Sequence, residues 1–251
     1  MEQLTFNKTF VNSFHDVLDH VLRVLLKPNL IIGLGNGTII DLMVEWIINN
    51  RNSPELKNIA VWCTEKCQVA WLQNAGIKAA HGLPTRSAHD MHIIDYFFEM
   101  PEQMTQDFGF VKVNPFCEIR QFLFKKAKES VFFYHYKNGK KFPQINAIPI
   151  EVAKVYEKPI KRYLNTKTTF IELATPNYEN HSTLRCYWKL TPNGQNSSTE
   201  PHKDMSTYAK GLYGYHGIVA HGYYSKVGGC LVEIAELSNE EMYMTIVPMN
   251  N

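Results

Sequence analysis

Three glycines alternate within a five-residue stretch, Gly33-Leu34-Gly35-Asn36-Gly37, between an apolar run and a helical period, and no other feature constrains the fold as tightly. Residues 29–34 read as a strand, and Ile39, Leu42, Met43, Trp46 and Ile47 recur at helical spacing from a start at Thr38. A strand joined to a helix by so short a turn needs residues that tolerate positive φ and close backbone approach, which glycine supplies. The start of the helix then presents unpaired N–H groups and the positive end of its dipole, a setting suited to phosphate.

Several nucleotide-binding loops do not fit. Counted from Gly33 or Gly35, the last glycine of a Gly-x-Gly-x-x-Gly fingerprint falls on Thr38 or Ile40, and the next strand ends Trp62-Cys63-Thr64 without a carboxylate for a ribose hydroxyl. Glu65, at a helix start, is a poor substitute. No Gly-Lys-Ser/Thr follows, which excludes a P-loop, and Ile31 stands where a methyltransferase-like loop carries an acid. A small phosphorylated sugar is the ligand this leaves.

The strand–helix rhythm continues with a strand at 58–62, a helix at 65–74 that Gly76 can terminate, and a strand at 77–80. Residues 91–98 and 131–136 are nearly continuous apolar runs, as expected of strands covered on both faces. Upstream, Phe10, Phe14, Val17, Leu18, Val21 and Leu25 mark an amphipathic helix ending before Pro28. The texture changes at NGKKFPQINAIP, residues 138–149, a polar hinge bearing glycine and proline. Beyond it come a strand at 148–154, a helix at 158–164, a strand at 183–190, a turn at 192–195 and a short helix at 205–212. Strand-like segments at 218–224, 230–235 and 242–247 close the chain. The expected fold is α/β: a Rossmann-like, mostly parallel sheet with helices on both faces, formed by residues 1–146 plus 221–251, and a smaller α+β (ferredoxin-like) domain at 147–220.

Composition narrows the function classes. With 26 basic and 24 acidic residues interspersed, a net charge of +2 gives no single-sign field to attract nucleic acid or a membrane surface. The N-terminus, MEQLTFNKTF, does not read as a secretory signal, and residues 30–48 carry Asn36, Asp41 and Glu45 where a membrane helix would be apolar. Five scattered cysteines suggest neither a disulfide framework nor a zinc site; Cys63 and Cys67 read as small buried side chains, and reduced thiols fit a cytoplasmic setting. His81, His89, His92, His216 and His221 have no ligand spacing, so no metal is expected.

The segment IIGLGNGTII resembles the strand–loop–helix that opens type A ribose-5-phosphate isomerases, whose loop reads Gly-x-Gly-x-Gly-Ser-Thr. HGLPTRS, IPIEV, TPNGQ and GYHGIVAHGYY resemble further segments of that family in the same order, so the resemblance spans most of the chain. It implies cofactor-free interconversion of ribose 5-phosphate and ribulose 5-phosphate through an enediol, and assembly as a homodimer or homotetramer. A carboxylate with a pKa near the working range carries the proton between adjacent carbons, while further acids and a lysine handle the sugar oxygens.

The same resemblance assigns residues. Asp95-Tyr96-Phe97-Phe98-Glu99 corresponds to the family's Asp-Gly-Ala-Asp-Glu, keeping Asp95 and Glu99 but placing Phe98 where the second aspartate belongs; there the ring would make the pocket drier and narrower. Lys112 matches the lysine of a Lys-Gly-Gly-Gly segment whose glycines are replaced by Val113-Asn114-Pro115. Arg120-Gln121-Phe122 aligns with Arg-Glu-Lys, so Gln121 stands in place of the proton-transfer glutamate and cannot act as a base. Glu118, three residues earlier, would have to act from about 5 Å along the helix axis at roughly 1.5 Å per residue. On the phosphate side the expected contacts are Gly35, Asn36, Gly37 and Thr38, with Thr64 after the next strand and Lys137 after a later one; Ile39 stands where the family has a threonine.

Overall fold

The computed structural model of the chain describes residues 8–82, 94–104, 109–112, 117–137, 147–156, 158–159, 162, 169–172, 183–189, 218–221, 223–225, 228–237 and 240–249. In chain order the elements are β1 (Thr9–Val11), α1 (Phe14–Leu25), β2 (Ile31–Leu34), α2 (Thr38–Asn49), β3 (Ala60–Cys63), α3 (Lys66–Asn74), β4 (Lys78–His81), β5 (Ile94–Glu99), β6 (Gln103–Met104), β7 (Gly109–Val111), α4 (Cys117–Lys126), β8 (Ala127–Lys137), β9 (Ala147–Ala153), β10 (Thr169–Glu172), β11 (Thr183–Lys189), β12 (Ile218–His221), β13 (Tyr223–Ser225), β14 (Gly229–Glu236) and β15 (Met242–Pro248). They group into two compact units, one of Met1–Pro101, Phe122–Lys141 and Val227–Asn251, the other of Glu102–Gln121 and Phe142–Lys226. Residues 102–121, expected with the first domain, thus group with the second unit.

The first unit is an α/β layer structure on an eight-stranded sheet of order β1-β15-β14-β8-β5-β2-β3-β4. Neighbours from β14 through β4 pair in parallel; β15 runs antiparallel to β14, and β1 antiparallel to β15. Side-chain alternation sends Phe98, Val131, Phe133, Val232 and Ile234 into one core with Val17, Leu18 and Val21 of α1 and Ile39, Ile40 and Met43 of α2. Phe97 and Phe132 point to the opposite face, where the Phe124 ring of α4 meets them at centroid distances of 6.2 and 6.1 Å. Helices therefore cover both faces, and each fully buried large apolar side chain contributes about 1.5–3 kcal/mol.

Phe10, expected on the first helix, lies in edge strand β1, where it pairs with Tyr243 and is 54% exposed. The reason is local capping. Asp16 N–H donates to Ser13 Oγ at 3.2 Å while Asn12 N–H donates to Asp16 Oδ2 at 2.9 Å, a reciprocal cap that starts α1 at Phe14. Cys63 is buried, which pushes its thiol up to about 12, the charge of Cys67 adding a smaller push; Cys67, expected to be buried, is exposed.

The second unit contains an antiparallel sheet of order β10-β11-β9-β12 and another of order β13-β7-β6. Strands β6, β7 and β10 are two to four residues long, too short to leave a period in the sequence. The expected turn at 192–195 and helix at 205–212 lie outside the described residues, as does most of the helix at 158–164. Among the described residues no helix is long and apolar enough to cross a membrane.

Candidate functional site

Strand order locates the crevice. From β2 the chain moves outward to β3 and β4, then crosses back to lay β5 and β8 on the other side of β2. The carboxyl ends of β2 and β5 thus flank a topological switch point, where open α/β sheets bind ligands. The residues that follow the two strands there are Gly35-Asn36-Gly37 and, closing β5, Glu99 and then Met100.

The loop is pinned on both sides by extensions of the sheet. Gly35 N–H donates to the Phe98 carbonyl at 2.8 Å, and Thr64 N–H to the Leu34 carbonyl at 2.9 Å. A Cβ on Gly35 would overlap the Glu99 carboxylate, and one on Gly37, whose φ is +125°, would lie 2.9 Å from Met100 Cβ. The glycines are therefore where the end of β5 packs against the loop. Glu99, 1% exposed, accepts hydrogen bonds from Asn36 N–H at 3.1 Å and from Met100 N–H at 3.0 Å. An internal carboxylate already occupies part of the cradle foreseen for a ligand anion.

The next turn of chain is differently arranged. Gly37, rather than Thr38, is the N-cap residue of α2, so the Thr38 hydroxyl sits one position too far along to cap, and among the described residues no side chain caps the first-turn amides. The first helical bond runs from Asp41 N–H to the Gly37 carbonyl at 3.0 Å, leaving the amides of Thr38, Ile39 and Ile40 without a side-chain cap at the positive end of the dipole. Around this end, Asn36 Nδ2 donates to Glu65 Oε1 at 2.9 Å and Gln68 Nε2 to Asp41 Oδ1 at 3.0 Å. Thr64 is wholly buried and its Oγ1 has no hydrogen-bond partner among the described residues.

Three expected site residues of the first unit place their side chains away from the loop. Asp95 is at the opposite end of β5, four residues from Glu99 and so about 13 Å along the strand at roughly 3.3 Å per residue. There it accepts from Ile31 N–H at 2.8 Å and pairs with Lys128 Nζ at 2.7 Å, tying together the starts of β2, β5 and β8. The Phe98 side chain is directed by the strand alternation into the core, stacked on Phe133 at a centroid distance of 6.4 Å. Lys137 lies five residues beyond Phe132, the β8 residue level with Glu99, or about 16 Å further along the strand. Its Nζ donates to Glu236 Oε1 at 2.8 Å, and His135 Nε2 lies 3.0 Å from Glu236 Oε2. The Lys137 hydrogen bond, with a smaller one from His135, holds the Glu236 carboxyl below the usual carboxylate range.

Lys112, Glu118 and Gln121 belong to the second unit. Lys112 is buried, its Nζ 3.7 Å from Glu102 Oε1. Helix α4 carries both Glu118 and Gln121; Gln121 is 7% exposed, Arg120 is fully buried, and the Glu118 side chain lies outside the described residues. The Asp41–Gln68 and Asn36–Glu65 pairs carry no motif that would mark them in the sequence. Their only signal is position, each joining a residue just before or after the start of α2 to one just before or after the start of α3.

No family model and no curated protein matches the chain. Among solved structures it is similar to ribose 5-phosphate isomerase A from Methanocaldococcus jannaschii, with a TM-score of 0.66 and 14% identity over 91% of this chain and 96% of that one. A ribose 5-phosphate isomerase from Plasmodium falciparum gives 0.66 and 17% over 94% and 96%. A D-ribose-5-phosphate isomerase in complex with phospho-erythronic acid gives 0.67 and 14% over 93% and 96%. The likeness extends over nearly the whole of each chain, and at these identities it shows the fold: an α/β fold of the ribose-5-phosphate isomerase A type.

Proposed function

We propose that this chain is a ribose-5-phosphate isomerase-like protein that binds a small phosphorylated sugar at the switch point, with a proton-transfer step impaired by Gln121. The observation that carries the binding half is the start of α2, where amides without a side-chain cap follow a glycine loop at the carboxyl edge of the sheet. In this reading the phosphate sits on the amides of Thr38, Ile39 and Ile40, and Glu99 and Asn36 border the sugar hydroxyls. The phospho-erythronic acid held by a structural neighbour has the same chemical character, an acyclic sugar acid bearing phosphate.

The catalytic half rests on the resemblance, which puts Lys112 beside the developing enediolate and Gln121 in the place of the base. A glutamine side chain has no proton-accepting group in the working pH range, and loss of a positioned acid–base group costs about 10²–10⁴-fold in rate. Direct measurement of ribulose 5-phosphate formation by the purified chain tests this. Turnover should be slow or at background, and Gln121→Glu should raise it about 10²-fold or more. Wild-type turnover equal to that of Gln121→Glu would show that the proton travels through another group.

A second reading, a catalytically silent relative that binds a sugar phosphate or a protein partner as sensor or scaffold, is favoured by one observation. The Glu99 carboxylate takes the Asn36 amide and presents like charge toward an incoming anion. Stabilisation by ribose 5-phosphate in a thermal-shift titration, with no turnover in either wild type or Gln121→Glu, would select it. No stabilisation would reject the sugar-phosphate site and point to the protein-partner form of the second reading.

A further inference from the structure

The outward face of α2 and the neighbouring Trp71 of α3 border a cavity of about 360 Å³, within the size range of small-molecule sites. Thr38, Asp41, Leu42, Glu45 and Ile48 line it from α2, one stripe made by steps of three and four residues. Trp71 closes the other side and is 47% exposed, a large aromatic surface left at the solvent boundary.

The chemistry of the lining has one sign. Asp41 and Glu45 stand one helical turn apart, and among the described residues no lysine or arginine borders the cavity. Glu45 has no cationic partner among the described residues, and Asp41 accepts from Gln68 Nε2 at 3.0 Å, a neutral donor. Behind Asp41, the wholly buried Gln68 keeps its Oε1 without a donor among the described residues. Two carboxylates sit against an aromatic face and the apolar walls of Leu42 and Ile48. A calcium-like ion would want about six to eight oxygen ligands, which this apolar lining does not supply. An organic ammonium with an apolar body matches every part: charge for the acids, N–H donors for the oxygens, and a cation and hydrocarbon for the ring.

We propose that this groove binds an amine-bearing small molecule, its ammonium held between Asp41 and Glu45 and its apolar body laid against Leu42, Ile48 and Trp71. The proposal goes beyond the sugar-phosphate reading, and its probe contains no phosphate, so either can fail without the other. Titration of the full chain with 2-phenylethylammonium chloride, followed by calorimetry and tryptophan fluorescence, tests it against 2-phenylethanol as the uncharged counterpart. Saturable binding is expected, about tenfold or more tighter for the ammonium at low ionic strength and weakening as salt is added. Glu45→Gln and Trp71→Ala, both at exposed side chains, should each weaken it about three- to tenfold while leaving the melting temperature nearly unchanged. Absence of saturable binding, equal affinity for the alcohol, or indifference to both substitutions would overturn the proposal.

Discussion

Phe98→Asp, the substitution that would restore the isomerase motif, should prevent the chain from folding rather than improve its site. The ring is fully buried among Tyr96, Phe133 and the residues of α1 and α2, so its removal alone is worth about 3–5 kcal/mol. A carboxylate in the same place, among apolar side chains, adds several kcal/mol of desolvation. The sum reaches the whole stability of an ordinary domain, about 5–15 kcal/mol. Urea denaturation and soluble yield are the measurements, with Phe98→Leu, expected to cost about 1–2 kcal/mol, as the control that keeps the volume apolar. A Phe98→Asp protein with a wild-type transition and tighter ribose 5-phosphate binding would mean that this side chain borders the ligand pocket after all.

Gly35→Ala should have the next largest effect, and on the site itself. The new methyl group overlaps the Glu99 carboxylate, which can yield only by leaving the amides of Asn36 and Met100 and moving a buried charge. Abandoning two part-buried N–H groups costs up to about 1–3 kcal/mol each, so a loss of about 2–4 kcal/mol is expected, with ligand affinity falling at least about tenfold as the loop shifts. A double-mutant cycle isolates the cause. In a Glu99→Ala background the obstruction is gone, and Gly35→Ala should cost about 1–3 kcal/mol less than in wild type. Additive losses would place the strain elsewhere in the loop.

How far the residues announce this arrangement depends on the range of the interactions involved. β2, α2, β3, α3 and β4 follow from local period and from Gly35, Gly37 and Gly76, because each is decided by neighbours within a few positions. β1 is not legible in that way: Phe10 and Phe14 are four apart as on a helix, yet Phe10 pairs with a strand more than 230 residues away. The site shows the same division. The glycine loop stands out in the sequence, whereas its partner Glu99 is 63 residues distant from Asn36 and emerges only from the β2–β5 register. That register also separates Asp95 from the loop, since β5 continues for four residues beyond it before the strand ends. Phe98 was readable as a departure from a family motif, but its direction depends on which face of β5 the even-numbered residues take. Nothing short of the packed sheet decides that.

The amides at the start of α2 carry the functional account, and ribose 5-phosphate titrated into isotopically labelled protein reports on them residue by residue. The account predicts saturable shifts of the backbone N–H signals of Asn36, Gly37, Thr38, Ile39 and Ile40, accompanied by smaller ones at Glu99 and Met100. Signals there that stay fixed while ligand is added to millimolar excess, or saturable shifts confined to other parts of the chain, would contradict it.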